Sequence, residues 1–112
     1  MKLPNAERAV VERGKIVDYL LNPAHPDNGG KAAFFLSLGF RQEEWQTLAT
    51  AFRRLAEKFD IHNSMRSAHG RKYILDGRIE TPSGKRPIVR TVWIVDRGVK
   101  MPRLVTAYPQ EK

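Results

Sequence analysis

The last third of the chain most restricts what it can fold into. Three short runs, Arg71–Glu80, Arg86–Asp96 and Arg103–Tyr108, are separated by turn-forming residues and read as antiparallel strands. Thr81-Pro82-Ser83-Gly84 suits a short hairpin and Asp96–Pro102 a longer one. A period of two sends successive side chains to opposite faces. One face would carry Tyr73, Leu75, Val89, Thr91, Trp93, Val95, Leu104, Thr106 and Tyr108; the other, Ile74, Ile88, Val92, Ile94, Val105 and Ala107. The aliphatic set reads as the core side. The set that mixes rings with hydroxyls reads as the side that meets a ligand.

The preceding residues carry a helical period instead. Ile16, Val17, Leu20 and Leu21 mark a short helix over 12–21, ended by Asn22-Pro23 because the residue before a proline is pushed out of helical geometry. Ala32, Phe34, Phe35 and Leu38 mark a second over 31–38, with Gly39 as its left-handed cap. Trp45, Leu48, Ala49, Phe52, Leu55, Ala56 and Phe59 trace one face of a third over about 42–59. Its opposite face, with Arg53, Arg54, Glu57 and Lys58, reads as solvated surface. Residues 60–69 are polar and without period, so they read as a connector, and Ala9-Val10-Val11 can supply an edge strand. The expected fold is α+β: about three N-terminal helices packed on a C-terminal antiparallel sheet of three or four strands, in a single domain spanning residues 1–112.

Charge narrows the function. Lysine and arginine number 20 against 12 acidic residues, a net +8 at pH 7, which points to a polyanionic partner and first to nucleic acid. With no cysteine, disulfides and thiolate metal sites are excluded. The three histidines, at 25, 62 and 69, lack metal-ligand spacing, and Asp76, Glu80 and Asp96 sit apart, so neither a zinc site nor a two-metal nuclease is expected. No apolar run reaches membrane-span length and no signal-peptide core is present, which points to a cytoplasmic protein or a piece of a larger one, without a membrane partner.

Three places can carry chemistry. His25 precedes Asn28-Gly29-Gly30-Lys31 at a helix start, where backbone N–H groups and a lysine can meet an anion; a plain turn and cap fit the same residues. Arg71, with Tyr73 beside it, opens the first strand and can grip a phosphate through paired hydrogen bonds or simply face solvent. Thr91 and Trp93 on one strand and Thr106 and Tyr108 on the next offer hydroxyls, a stacking ring and a phenol; Arg103 adds a backbone contact. Trp93 equally suits a ring that packs the sheet closed. A basic site without metal favours RNA, whose 2′-hydroxyl is its own nucleophile.

The blocks Leu3-Pro4-Asn5-Ala6, Tyr19-Leu20-Leu21-Asn22-Pro23-Ala24-His25-Pro26, Gly30-Lys31-Ala32-Ala33-Phe34-Phe35, Gly70-Arg71-Lys72-Tyr73, Arg90-Thr91-Val92-Trp93-Ile94 and Pro102-Arg103-Leu104-Val105-Thr106-Ala107-Tyr108-Pro109 resemble a family of small bacterial domains of unknown function. More distantly, the pattern is similar to metal-independent ribonuclease toxins of the barnase–EndoU–colicin–RelE group. That resemblance implies a cofactor-free RNA-cleaving site using His25, Lys31, Arg71, Thr91 and Tyr108. Tyr73, Trp93, Arg103 and Thr106 are the residues expected on the RNA from the strand reading, and an acidic antitoxin or immunity protein is the second expected partner. The alternative is a non-catalytic module that binds nucleic acid or a protein through the same basic face.

Overall fold

The computed structural model describes residues 1–27 and 30–110. A 3-10 turn (Ala6–Arg8) leads into α1 (Arg13–Lys15), which continues as a π-helical turn (Ile16–Leu20). α2 (Lys31–Ser37) and α3 (Trp45–Lys58) follow, the latter entered through a 3-10 turn, Gln42–Glu44. Four antiparallel strands complete the α+β fold in the spatial order β1-β2-β3-β4: β1 (Asn63–Ser67), β2 (Gly70–Arg78), β3 (Ile88–Asp96) and β4 (Arg103–Pro109). The expected helices and strands are present within a few residues of their anticipated ends.

Gly39 ends α2 with φ 96°, a conformation that glycine adopts without strain. Val10 adds a short parallel bridge to β4, its N–H donating to the Pro102 carbonyl at 2.8 Å and its carbonyl accepting from Leu104 at 3.0 Å. β1 departs from expectation, since its residues were read as a connector. Asn63-Ser64-Met65-Arg66-Ser67 has no apolar alternation because it is a mostly exposed edge strand, held by backbone pairing to β2 rather than by side-chain burial.

The faces of the sheet are the reverse of the reading above. Tyr73, Leu75, Val89, Trp93 and Leu104 are buried in the core, together with Phe35, Leu48, Phe52 and Leu55 from the helices, and Thr91 is fully buried beside them. Ile74, Ile88, Val92 and Val105 are only half-buried, and Ile94 of the same set, though buried, lies outside the core cluster. The polar atoms that suggested a wet face satisfy one another: Thr91 Oγ1 donates to the Leu75 carbonyl at 3.0 Å and accepts from Trp93 Nε1 at 2.9 Å. No buried side-chain polar atom among the described residues is left unpaired. Large rings fill the depth beneath the helices better than valines would, and paired polar groups cost little there.

β4 adds a second departure. Thr91 pairs with Ala107 and Trp93 with Leu104, so one extra residue, Val105, is accommodated as a bulge. A bulge re-aims the side chains beyond it. Leu104 and Ala107 therefore both face the core, while Thr106, opposite Val92, and Tyr108, opposite Arg90, lie on the other face. Ala107 is thus the member of the aliphatic set that belongs with the core, and Thr106 and Tyr108 are separated from Thr91 and Trp93.

Candidate functional site

The exposed side of the β4 edge gathers a cationic cluster from parts of the chain far apart in sequence. Tyr19 comes from the π-helical turn, whose widened geometry is closed by the Leu21 N–H donating to the Ile16 carbonyl at 2.8 Å. Lys31 is the first residue of α2, placed directly after Gly30 at φ 86°. Its Nζ donates to Tyr19 Oη at 2.5 Å and to Thr106 Oγ1 at 3.2 Å. Tyr19 Oη and Thr106 Oγ1 are themselves 3.2 Å apart, which closes a triangle of lysine, phenol and hydroxyl. The same ammonium lies 5.0 Å from the Tyr19 ring centre and 5.8 Å from that of Tyr108.

Two neighbours extend the cluster. Arg90 stands opposite Tyr108 on β4 and opposite Asp76 on β2. Its Nε and Nη2 donate to the two Asp76 carboxylate oxygens at 2.7 and 2.8 Å. A guanidinium has five N–H groups, so this fork leaves others for a ligand. The hydrogen bonds from Arg90, outweighing partial burial, hold the Asp76 carboxyl below its ordinary range, and the charges of Arg90 and His62 act the same way. Bonding to Asp76 likewise pushes the Arg90 pKa further up, with a smaller contribution from Tyr108.

Tyr19 is the phenol whose acidity the cluster alters. Partial burial opposes its ionisation, but the hydrogen bonds from Lys31 and Thr106, and the charges of Lys31 and Lys15, prevail and lower its pKa from 10.0. A phenol held this way can give or take a proton nearer neutrality than a free tyrosine.

His25 sits in the adjoining loop, its ring edge-on to Tyr19 with centres 5.0 Å apart. Its Nδ1 accepts the Asp27 N–H at 3.1 Å. The neutral ring therefore carries its proton on Nε2 and offers a donor there, which suits a phosphate oxygen better than proton removal. Asn28 and Gly29, the centre of the anion-binding loop expected from sequence, lie outside the described residues.

The anticipated site residues thus divide. His25, Lys31, Thr106 and Tyr108 come together. Thr91 and Trp93 are fully buried and Tyr73 is 8% exposed, so none of the three presents a stacking or bonding surface to a ligand. Arg71 donates to Ser64 Oγ at 3.3 Å and pairs with Val95, five residues along β2 from Asp76, about 16 Å along the strand. Arg103 is held by Asp96 at 2.8 and 3.3 Å at that same far end. Tyr19, Arg90 and Asp76 were not anticipated. Signals for them existed: Tyr19 lies beside, rather than in, the apolar stripe of its helix, and Asp76 and Arg90 share strand parity with the residues read as core.

Among the described residues, no three His, Asp or Glu side chains converge as metal ligands, and no helix is long and apolar enough to cross a membrane. Residues 2–111 match the family described as Domain of unknown function (DUF6883). The chain belongs to this family. No curated protein matches it in sequence. In fold it is similar to a chain of the contact-dependent growth inhibition toxin–immunity protein complex from Klebsiella pneumoniae 342, with a TM-score of 0.76 and 22% identity over 96% of this chain and 97% of that one. The small DUF6883 chain and that structure share an architecture; residue roles must come from the cluster itself.

Proposed function

We propose that this chain is a toxin-type endoribonuclease that cuts RNA without a metal ion at the Tyr19–Lys31–Thr106 cluster. The observation that carries the reading is the lysine-bound phenol, standing next to a second phenol and an arginine on the exposed side of the β4 edge. The fold neighbour comes from a complex of two kinds of protein, a toxin and an immunity protein. A net charge of +8 favours the toxin side, because a chain that acts on RNA must approach a polyanion.

In this mechanism the Tyr19 phenolate takes the proton of the ribose 2′-hydroxyl. The 2′-oxygen forms a bond to phosphorus as the bond from phosphorus to the 5′-oxygen breaks. Lys31, Arg90 and the His25 Nε2–H bind the phosphate oxygens and stabilise the added charge. Tyr108 donates its proton to the departing 5′-oxygen. The products are a 2′,3′-cyclic phosphate and a 5′-hydroxyl, and no co-reactant is consumed.

Purified protein incubated with RNA and chelator tests this. Cleavage should persist and leave cyclic phosphate ends. Tyr19→Phe and Lys31→Met should each lower the rate by about 10²-fold or more, the range for a lost proton-transfer group. Because Lys31 lowers the Tyr19 pKa, the rising limb of the pH–rate profile should move to higher pH in Lys31→Met. A requirement for magnesium, or equal cutting of DNA, would overturn the mechanism. RNA bound tightly but never cut would leave the non-catalytic binding module in its place.

A further inference from the structure

A concave surface lies away from the Lys31 cluster, between α3 and the β2–β3 connection, with a cavity volume of about 660 Å³. That is within the range of roughly 300–1,000 Å³ usual for small-molecule sites. Its walls carry four cations, Arg54, Lys58, Arg78 and Arg86, against two anions, Glu44 and Glu80. Its floor includes Leu55, Phe59 and Ile79. Phe59 reaches that floor because β2 has no side chain at Gly77, where an added Cβ would come within 2.4 Å of the ring.

The cations are not spent on internal pairs. Among the described residues the ion pairs are those of the N-terminus and Lys2 with Asp60, Arg90 with Asp76, and Arg103 with Asp96. Arg78 donates to the Arg86 backbone carbonyl at 2.7 Å, which fixes its position without neutralising it. Lys58 Nζ stands 5.6 Å from the Phe59 ring centre.

Arg78 links the cleft, which it lines, to the face of β2 that carries Asp76. β1 pairs with β2 only as far as Ile74, so the β2 edge is free of β1 beyond that point. Arg78 lies two residues past Asp76 on the same face of β2, about 7 Å along the strand. Lys31 stands beside Tyr108, Tyr108 opposite Arg90, and Arg78 donates to the Arg86 carbonyl, so Arg90 and Arg78 lie between the cluster and the cleft in sheet register. Free cations above an apolar, ring-bearing floor match both halves of a nucleotide: phosphate for the arginines, base for the floor. An acidic protein segment would use the charges and leave the ring without a role.

We infer that this cleft is a nucleotide subsite for the RNA strand that passes through the Lys31 cluster. It rests on the proposed function in taking RNA as the ligand and the Lys31 cluster as a place that binds it, and does not depend on cleavage. The subsite would favour strands long enough to reach both places, so selection would depend on length and on an unpaired nucleotide some distance from the cut.

The test uses a fluorescent single-stranded 2′-O-methyl 12-mer, which cannot be cut, and a dinucleotide too short to span both places. Arg54→Ala/Arg86→Ala should weaken 12-mer binding about tenfold or more. Its salt slope should fall by about 1.4, the value for two lost contacts to a single strand. Dinucleotide binding should fall far less than 12-mer binding, because a dinucleotide never gains from holding both places at once. A charge-matched control, Arg97→Ala/Lys100→Ala, at the opposite end of the sheet, should bind the 12-mer nearly normally. Thermal melts of the full chain confirm folding, and Arg54→Gln/Arg86→Gln keeps the stems if the alanine pair is unstable. Equal losses in cleft and control variants would overturn the subsite, since net charge alone would explain them. Unchanged 12-mer binding in the cleft variant would also overturn it and leave the cleft to an acidic protein. RNA bound through the cleft but never cut would sustain the subsite while removing the catalytic proposal.

Discussion

Thr91→Val isolates the buried hydroxyl that ties the Leu75 carbonyl to the Trp93 indole. The side chain is completely buried, as is Trp93, and its Oγ1 both donates to the Leu75 carbonyl and accepts the indole N–H. Valine keeps the branched shape and removes both hydrogen bonds. The indole N–H then has no partner and no water, a state costing about 1–3 kcal/mol. At roughly 4 °C per kcal/mol for a chain of this length, the melting temperature should fall by roughly 4–12 °C. Urea denaturation should show a lower midpoint at unchanged slope. A double-mutant cycle sharpens the test, because in Trp93→Phe the N–H is already gone and Thr91→Val should cost about 1 kcal/mol less. RNA cleavage below the melting range should be unaffected. A variant that melts like wild type, or one that costs the same in both backgrounds, would refute the account of the buried relay. A well-folded Thr91→Val protein that had lost cleavage would return Thr91 to the reacting groups.

Three further outcomes follow from other contacts. Phe52→Ala removes a fully buried ring packed edge-on against Phe35 at 5.7 Å and should cost about 3–5 kcal/mol by denaturant unfolding. Gly77→Ala places a methyl 2.4 Å from the Phe59 ring and should destabilise by about 1–3 kcal/mol, with much of the loss relieved in Gly77→Ala/Phe59→Ala. Asp76 has a folded pKa below its ordinary 3.8, so its contribution to stability is full above that value and is lost as pH falls through the folded pKa. Asp76→Asn should therefore be less stable than wild type at pH 7 and show a shallower acid decline, measured by urea midpoints across pH.

Local chemistry was legible in the chain itself. The period of the apolar residues placed three helices before the strands, Gly39 marked a helix end, and net charge pointed to a polyanion. These follow from steric rules and solvation that act on neighbours in sequence. The choice between the two sheet faces was not local, because a threonine and a tryptophan look polar until each is seen to satisfy the other and the Leu75 carbonyl. The contrary clue was nonetheless present: Lys72, Asp76 and Arg90 alternate with Ile74, Val92 and Ile94, and a face with three charges in register makes a poor core. β1 was hidden because an edge strand held by backbone hydrogen bonds needs no apolar period. The Val105 bulge, which turns Thr106 and Tyr108 away from Thr91 and Trp93, depends on the pairing of two strands and has no signature in either. The cluster itself joins residue 19 of a π-helical turn, residue 31 of a helix and residue 106 of an edge strand. Sequence determined which groups were available to bind an anion; only tertiary packing decided which of them share one site, because hydrogen bonds and charge coupling act through a few ångströms of space and not along the chain.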